Sequence, residues 1–119
     1  MLGDTLVRLL RFQGHPVETQ NYIDDTGVQV ADVVVGFQEL EAKSFADIRQ
    51  LAEKSHFDYY CWDLYARTTS WYEADDSRLS HRQTALEDLE HGTDPAAAIA
   101  NVITDRIVRC HLTTMARLN

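Results

Sequence analysis

Ten consecutive residues decide how this chain is interpreted: Gln20-Asn21-Tyr22-Ile23-Asp24-Asp25-Thr26-Gly27-Val28-Gln29. The weak alternation of side chains over residues 17–23 predicts a short strand, and Thr26-Gly27 predicts a tight turn. Apolar residues return to helical spacing directly afterwards. The amides and carboxylates of this stretch therefore crowd the end of a predicted strand, which is where ligands bind in open α/β folds.

A helix is predicted on the N-terminal side of this corner. Leucines at helical spacing give residues 1–13 an apolar stripe, and Gly14 with Pro16 gives a stop signal. Glycine accepts the left-handed conformation that ends a helix, and proline cannot continue the helical hydrogen bonds. Because only one strand is apparent, its backbone needs partners from a sheet elsewhere, from a second copy of the chain, or from a segment interpreted here as helix.

The residues that follow the corner are predicted to be helical. Apolar residues three and four positions apart predict a helix over 28–40, although Val33-Val34-Val35 is a β-branched run. The hydroxyl of Ser44 is expected to cap a helix that runs to residue 52. Asp58 is expected to cap the next helix, which carries most of the aromatic residues.

Two more helices are predicted before the end of the chain. Asp75-Asp76-Ser77 marks a break, and a helix then continues to residue 90 or 91, where Gly92 ends it. Asp94-Pro95 supplies an N-cap and a proline at the first position of a last helix. The fold class is therefore mainly α.

Composition indicates one soluble globular domain, since 45% of the 119 residues are hydrophobic and 25% are charged. The net charge of −8 argues against autonomous nucleic-acid binding, because affinity for phosphates comes from lysine and arginine. A basic strip at Arg8, Arg11, Arg106, Arg109 and Arg117 is an alternative, but solvated helix faces of mixed charge are commoner. No apolar run approaches the roughly 20 residues needed to cross a bilayer.

The cysteines predict a reduced, cytoplasmic compartment. Cys61 and Cys110 lie far apart, without a Cys-x-x-Cys pair or a signal-like leader. Cys61 lies among aromatics and is expected to be buried and unreactive. Cys110, His111 and His56 could be imagined as zinc ligands, but structural zinc sites use closely spaced ligand pairs on turns. No metal site is therefore predicted.

The helix that begins near residue 58 is unusually aromatic. A base-stacking surface is one interpretation of this density. Such surfaces interleave lysines and arginines, whereas only Arg67 lies among these aromatics, so a buried stripe is the preferred interpretation. Its members are Tyr59, Tyr60, Trp62, Leu64, Tyr65, Trp71 and Tyr72.

Asp24 and Asp25 are the candidates for acid–base chemistry. Adjacent carboxylates can drive each other's pKa values apart, but neighbours on an extended chain point to opposite sides. Asp25 or Thr26 could instead cap the helix that starts at Val28. Asp25-Thr26-Gly27 also matches the signature of aspartic proteases, yet those enzymes join two copies of it within an all-β fold. No catalytic residue is assigned.

Two segments, taken in order, resemble the class I arginyl-tRNA synthetases: LGDTLVRLLRFQGHPVE at 2–18 and QNYIDDTGVQ at 20–29. In that family a helix of similar form follows a His-x-Gly-His signature, and a strand ending in Asn-Tyr/His…Asp-x-Gly-x-Gln comes next. Asn21, Asp25, Gly27 and Gln29 fall on the positions of that motif. The resemblance implies that these four residues line or support one wall of the active site.

The resemblance also implies an architecture. Residues 1–43 are expected to form a helix-strand-helix piece of a class I nucleotide-binding, Rossmann-like fold. Residues 44–119 resemble the family's helical connective insertion, including the helix opened by Phe57-Asp58-Tyr59 and the segment DRIVRCHLTTMARLN at 105–119. The two parts are expected to form one compact unit.

The activity that the resemblance implies is the ATP-dependent, magnesium-assisted attachment of arginine to its tRNA, a step of protein biosynthesis. The chain carries neither the His-x-Gly-His segment nor a Lys-Met-Ser-Lys-like loop, so it is expected to be a fragment that is inert alone and holds no cofactor by itself. Self-association is expected because its apolar residues lack the sheet they would cover, namely Leu6, Leu9, Leu10, Val33 and Val34. The alternative is a stand-alone helical protein-interaction module without catalysis.

Overall fold

The computed structural model describes residues 2–20, 22 and 27–118, and these are mainly helical as predicted. The chain forms α1 (Leu2–Phe12), α2 (Val28–Val35), α3 (Phe45–Ala52), α4 (Phe57–Ala74), α5 (Leu79–His91) and α6 (Ala96–Leu118). One π-helical stretch, Gly36–Leu40, continues α2, and a 3-10 turn, Asp76–Arg78, precedes α5. No described helix is long and apolar enough to span a membrane.

The predicted strand over 17–23 does not form at the positions that the structure describes. Residues 17–20 and Tyr22 belong to no strand, and Asn21 and Ile23 lie outside the described residues. The physical reason is that the described part of the chain contains no second strand with which residues 17–23 could form backbone hydrogen bonds. The helix-strand-helix unit therefore stays a prediction.

Helix α2 lies at the centre of the packing, with α4, α5 and α6 around it. Five consecutive residues of α2, Ala31–Val35, are buried, as expected of a helix that is covered on all sides. Val33 and Val34 are therefore covered by this chain's own helices. The expectation that these two valines lack cover is wrong, because α4, α5 and α6 provide the apolar surface that was assigned to a missing sheet.

The helix termini follow the predicted signals with two corrections. Ser44 forms a full capping box, in which the Asp47 N–H donates to its hydroxyl (3.2 Å) and its own N–H donates to the Asp47 carboxylate (3.3 Å). Gly92 ends α5 with φ +69°. Asp58 does not cap α4, because His56 adopts φ +62° and starts the helix at Phe57, whose ring is buried.

The second correction concerns the start of α6. The first helical residue is Ala96, one position after the proline that was expected to begin the helix. The helix is held further along by Arg106, whose Nε donates to the carbonyl of Ala52 at the end of α3 (2.6 Å). This contact satisfies one of the carbonyl groups that a helix C-terminus leaves unpaired.

Helix α1 contrasts with the others because none of its residues is buried. It is strongly amphipathic, and Gly14 at φ +83° ends it as predicted. Its apolar stripe faces outward, with Leu6 and Leu9 more than half exposed and Phe12 90% exposed. The predicted lack of cover thus holds for Leu6 and Leu9, whereas Leu10 is partly buried.

Candidate functional site

A groove of about 310 Å³ opens where α2, α4 and α6 meet. Its floor is apolar, and its rim carries one amide, one carboxylate and one imidazole. A concave, mostly apolar site with a few convergent polar groups is the usual form of a binding site. The lining residues are Gln29, Val30, Val33, Asp58, Cys61, Trp62, Tyr65, Ile103, Ile107 and His111.

Gln29 is the member of the predicted site that the structure places in this groove. It lies in the first turn of α2 and is exposed, so its amide can both donate and accept hydrogen bonds there. Gly27 occupies the N-cap position of α2 in an extended conformation (φ −77°, ψ 168°) and offers no side-chain cap. Asn21, Asp25 and the alternative cap Thr26 lie outside the described residues.

The aromatic wall of the groove comes from α4. Trp62 is 68% exposed and tilts against Tyr65, with 5.8 Å between the ring centroids. Tyr59, one turn earlier, is 70% exposed. The predicted buried stripe is therefore confirmed for Leu64 and Tyr72 but wrong for Tyr59 and Trp62, which are exposed because an 18-residue helix turns only one face toward the core.

The groove holds one thiol, that of Cys61. Burial, reinforced by the negative charge of Asp58, raises the pKa of the Cys61 thiol to about 12. A thiol with such a pKa is a packing residue at neutral pH, as the sequence predicted. Among residues 2–20, 22 and 27–118, no three His, Cys, Asp or Glu side chains lie close enough together to hold a metal ion.

A second polar cluster, which the sequence interpretation missed, lies inside the core. Asp32 is fully buried and accepts two 2.8 Å hydrogen bonds from the guanidinium of Arg82 on α5. The guanidinium carbon also lies 4.7 Å from the centre of the Tyr72 ring. Burial and the charge of Asp32 raise the pKa of Tyr72 to about 12. The only signal in the sequence is a lone acid within the apolar run VADVVV.

A third polar cluster ties the end of the π-helical stretch to α4. The Tyr60 hydroxyl donates to the Glu41 carboxylate (2.6 Å), and Arg67 donates to the same carboxylate (3.0 Å). Burial and the Glu41 charge raise the pKa of Tyr60 to about 12. These contacts hold α4 against the end of the π-helical stretch. The three side chains lie beside the groove and are not among its lining residues.

Three of the five arginines considered for a basic strip have carboxylate or carbonyl partners. Arg8 pairs with Asp4 and Arg109 pairs with Asp105, each at 2.8 Å and four residues apart. Arg106 is engaged with the α3 terminus. The preferred interpretation, helix faces of mixed charge, is confirmed at these positions.

Comparison with known proteins shows which proteins this chain is similar to. The chain is 32% identical to the arginine–tRNA ligase of Thermococcus kodakarensis over 99% of its own length and 19% of that protein. The arginine–tRNA ligase of Pyrococcus furiosus is 31% identical over the whole chain, and that of Methanobrevibacter smithii is 35% identical over 80% of it. This chain is homologous to an internal part of arginine–tRNA ligases.

The likeness to arginine–tRNA ligases extends across both the motif stretch and the helices around α2, because the matches cover nearly the full chain. The chain spans 19% of the length of the Thermococcus and Pyrococcus ligases. No family model matches it. No solved structure matches it either.

Proposed function

We propose that this chain acts as the part of an arginine–tRNA ligase that supplies one wall of the active site, through Asn21, Asp25, Gly27 and Gln29. The observation that carries the proposal is 32% identity to such a ligase over 99% of the chain. The placement of Gln29 in an open groove, next to Asp58 and His111, supports it.

In this role the chain positions its ligand and does not itself react. Gln29 offers an amide at the groove mouth, and the rigid packing of α2 fixes where that amide lies. Positioning and preorganised polar groups are large terms in catalysis, so a wall that only holds and orients the ligand still contributes to the rate. ATP with magnesium, arginine and the tRNA are the proposed ligands of the whole enzyme, and no catalytic or cofactor residue is assigned to this chain.

In this proposal the boundary at residue 43 separates the part that carries the active-site wall from the part that supports it. Residues 1–43 belong to the Rossmann-like nucleotide-binding unit, and 44–119 form the helical insertion. Since α2 of the first part packs among α4, α5 and α6 of the second, movement of the insertion would move Gln29. The insertion therefore holds the active-site wall in position.

The isolated chain is proposed to be cytoplasmic, catalytically inert and self-associating. The exposed leucines of α1 are the support for self-association, since an exposed apolar helix face is costly in water. Sedimentation of the chain over a range of concentrations tests this point, and a monomer at high micromolar concentration would contradict it.

Reconstitution tests the main proposal. The chain is mixed with the two polypeptides that flank the matching region in the Thermococcus kodakarensis ligase, and arginine-dependent exchange of pyrophosphate into ATP is measured. Exchange that requires the chain supports the proposal. Silence, together with tight binding of an unrelated protein, would instead support the interaction-module alternative.

Two matched variants of the reconstituted enzyme test whether Gln29 belongs to the active-site wall. Gln29→Ala is expected to lower kcat/KM about tenfold, the loss of one hydrogen bond of about 1–1.5 kcal/mol. Gln50→Ala removes an amide that is also exposed, on α3 and outside the groove, and should leave the rate unchanged. Equal effects of the two changes would contradict the placement of the active-site wall at Gln29.

A further inference from the structure

A row of aromatic rings runs along α4 from the residue directly before the helix. Its members lie at every third position, and residues three apart are neighbours on a helix surface: His56, Tyr59, Trp62 and Tyr65. Ring contacts join the row in pairs, since 5.6 Å separates the ring centroids of His56 and Tyr59 and 5.8 Å those of Trp62 and Tyr65. Tyr59 and Trp62, in the middle, are both exposed. Two large rings on successive turns of α4 are therefore open to a ligand.

The rim beside this row carries polar groups that suit the edge of a nucleobase. Gln29, Asp58 and His111 line the groove together with Trp62. An amide can pair with the donor and the acceptor of adenine, and a carboxylate can accept from the amino group of cytosine. Proteins that recognise unpaired RNA bases stack each base on an aromatic ring and hydrogen-bond its edge. The rim and the row together offer both kinds of contact.

The charges near the row favour contacts to bases over contacts to phosphates. The chain has a net charge of −8, and one carboxylate, that of Asp58, lines the groove. Stacking uses the face of a ring and needs no cation, so this acidity does not remove it. Helix α6, which forms the opposite bank, carries three arginines against one aspartate, a net charge of +2. The acidity of the chain is therefore not concentrated on this groove.

We propose that Tyr59 and Trp62 form a stacking platform for unpaired nucleobases of an RNA strand. This inference rests on the proposed function, in which tRNA is a ligand of the whole enzyme, and it names side chains that hold that ligand beside Gln29. It also gives a role to the two aromatic residues of α4 that the buried-stripe interpretation placed wrongly.

Tryptophan fluorescence of the full chain tests the platform. The chain has two tryptophans, so Trp71→Phe leaves Trp62 as the reporter. A single-stranded RNA hexamer of adenosine and cytidine is expected to quench its emission, because a base stacked on an indole quenches it. At about 0.15 M salt, charges more than about 8 Å apart are largely screened, so the net charge of the chain matters little. Trp62→Phe, which keeps Trp71, is the matched control and should show no saturable quenching.

A second substitution measures the contribution of Tyr59. In the Trp71→Phe chain, Tyr59→Ala should weaken binding of the hexamer at least about fivefold, the effect of losing one stacked base. Phe12→Ala removes an exposed ring of α1 that does not line the groove, and it should change the dissociation constant less than about twofold. Both side chains are exposed, so circular dichroism should show an unchanged fold.

Three results would overturn the platform. The first is no quenching of Trp62 at millimolar hexamer, which is also the result expected of a surface that contacts a protein instead. The second is equal quenching by the hexamer annealed to its complement, because bases within a duplex do not offer their faces. The third is an equal effect of Tyr59→Ala and Phe12→Ala.

The reconstitution assay separates this inference from the proposed function. Pyrophosphate exchange that requires the chain, without quenching by the hexamer, leaves the proposed function standing while the platform falls. Quenching with the expected variant effects, without exchange, leaves the platform standing while the proposed function falls.

Discussion

Helices α1 and α2 both carry many apolar residues, but α2 is surrounded by other helices and α1 is exposed. Five consecutive residues of α2 are buried, including the polar Asp32, whereas α1 has no buried residue. Helix α1 shows the cleaner amphipathic pattern, yet α2 forms the centre of the core because α4, α5 and α6 lie around it. A hydrophobic pattern thus shows which face of a helix requires cover, and only the presence of neighbours provides that cover.

The largest expected effect is on the buried ion pair of α2. Arg82→Ala leaves the Asp32 carboxylate without its two hydrogen bonds inside the core, and it should lower the free energy of unfolding by about 3–5 kcal/mol. Urea denaturation followed by circular dichroism measures the change. Arg109→Ala, which breaks an exposed pair with Asp105, serves as the control and should cost no more than about 0.5 kcal/mol.

A matched pair of leucine truncations compares the two environments directly. Leu64→Ala, which removes a fully buried side chain that packs beside α2, should cost about 2–5 kcal/mol of unfolding free energy. Leu6→Ala on α1 should cost no more than about 0.5 kcal/mol when the chain is monomeric. Similar losses at the two positions would mean that α1 packs into the same core as α2.

A substitution at Gly36 tests how closely α2 approaches α4. A Cβ at this position would lie 2.5 Å from the Thr68 hydroxyl and 2.7 Å from Cγ of Leu64, so Gly36→Ala should destabilise the fold by about 1–3 kcal/mol. The control is Gly3→Ala in α1, where nothing lies within 4 Å of the added atom. Thermal unfolding should show a lower Tm for Gly36→Ala and an unchanged or higher Tm for Gly3→Ala. An unchanged Tm for Gly36→Ala would contradict the close contact.

Alkaline titration tests the surroundings of the two core tyrosines, and its effect is confined to high pH. The environments of Tyr60 and Tyr72 raise their pKa values from 10.0 to about 12, so above pH 10 the unfolded chain loses protons that the folded chain retains. Stability should therefore be complete below pH 10 and fall as the pH rises toward 12, by up to about 1.4 kcal/mol per pH unit for each tyrosine. Tyr72→Phe should flatten the dependence, because the buried ring stays in place while its titrating hydroxyl is removed. A slope equal to that of the unchanged chain would contradict the assignment.

The candidate site was only partly accessible to sequence reasoning. Gln29 was predicted from the resemblance of residues 20–29 to the motif of arginyl-tRNA synthetases, and the structure places it at a groove. The other walls, Asp58, Trp62 and His111, come from α4 and α6, which lie some 30 and 80 residues further along the chain. No local pattern joins such distant positions, and the same holds for the pair of Asp32 and Arg82.

The sequence by itself determined where most helices begin and end, because these events depend on a few adjacent residues. The hydroxyl of Ser44 caps the start of a helix, and the left-handed backbone of Gly14 and Gly92 ends one. The structure shows each of them in the predicted role. The tertiary structure alone decided which apolar faces are covered, that Val34 is buried while Leu9 is exposed, and that the edge of Trp62 borders a groove. The physical reason is that capping is a local hydrogen bond, whereas burial is a property of surfaces brought together from distant parts of the chain.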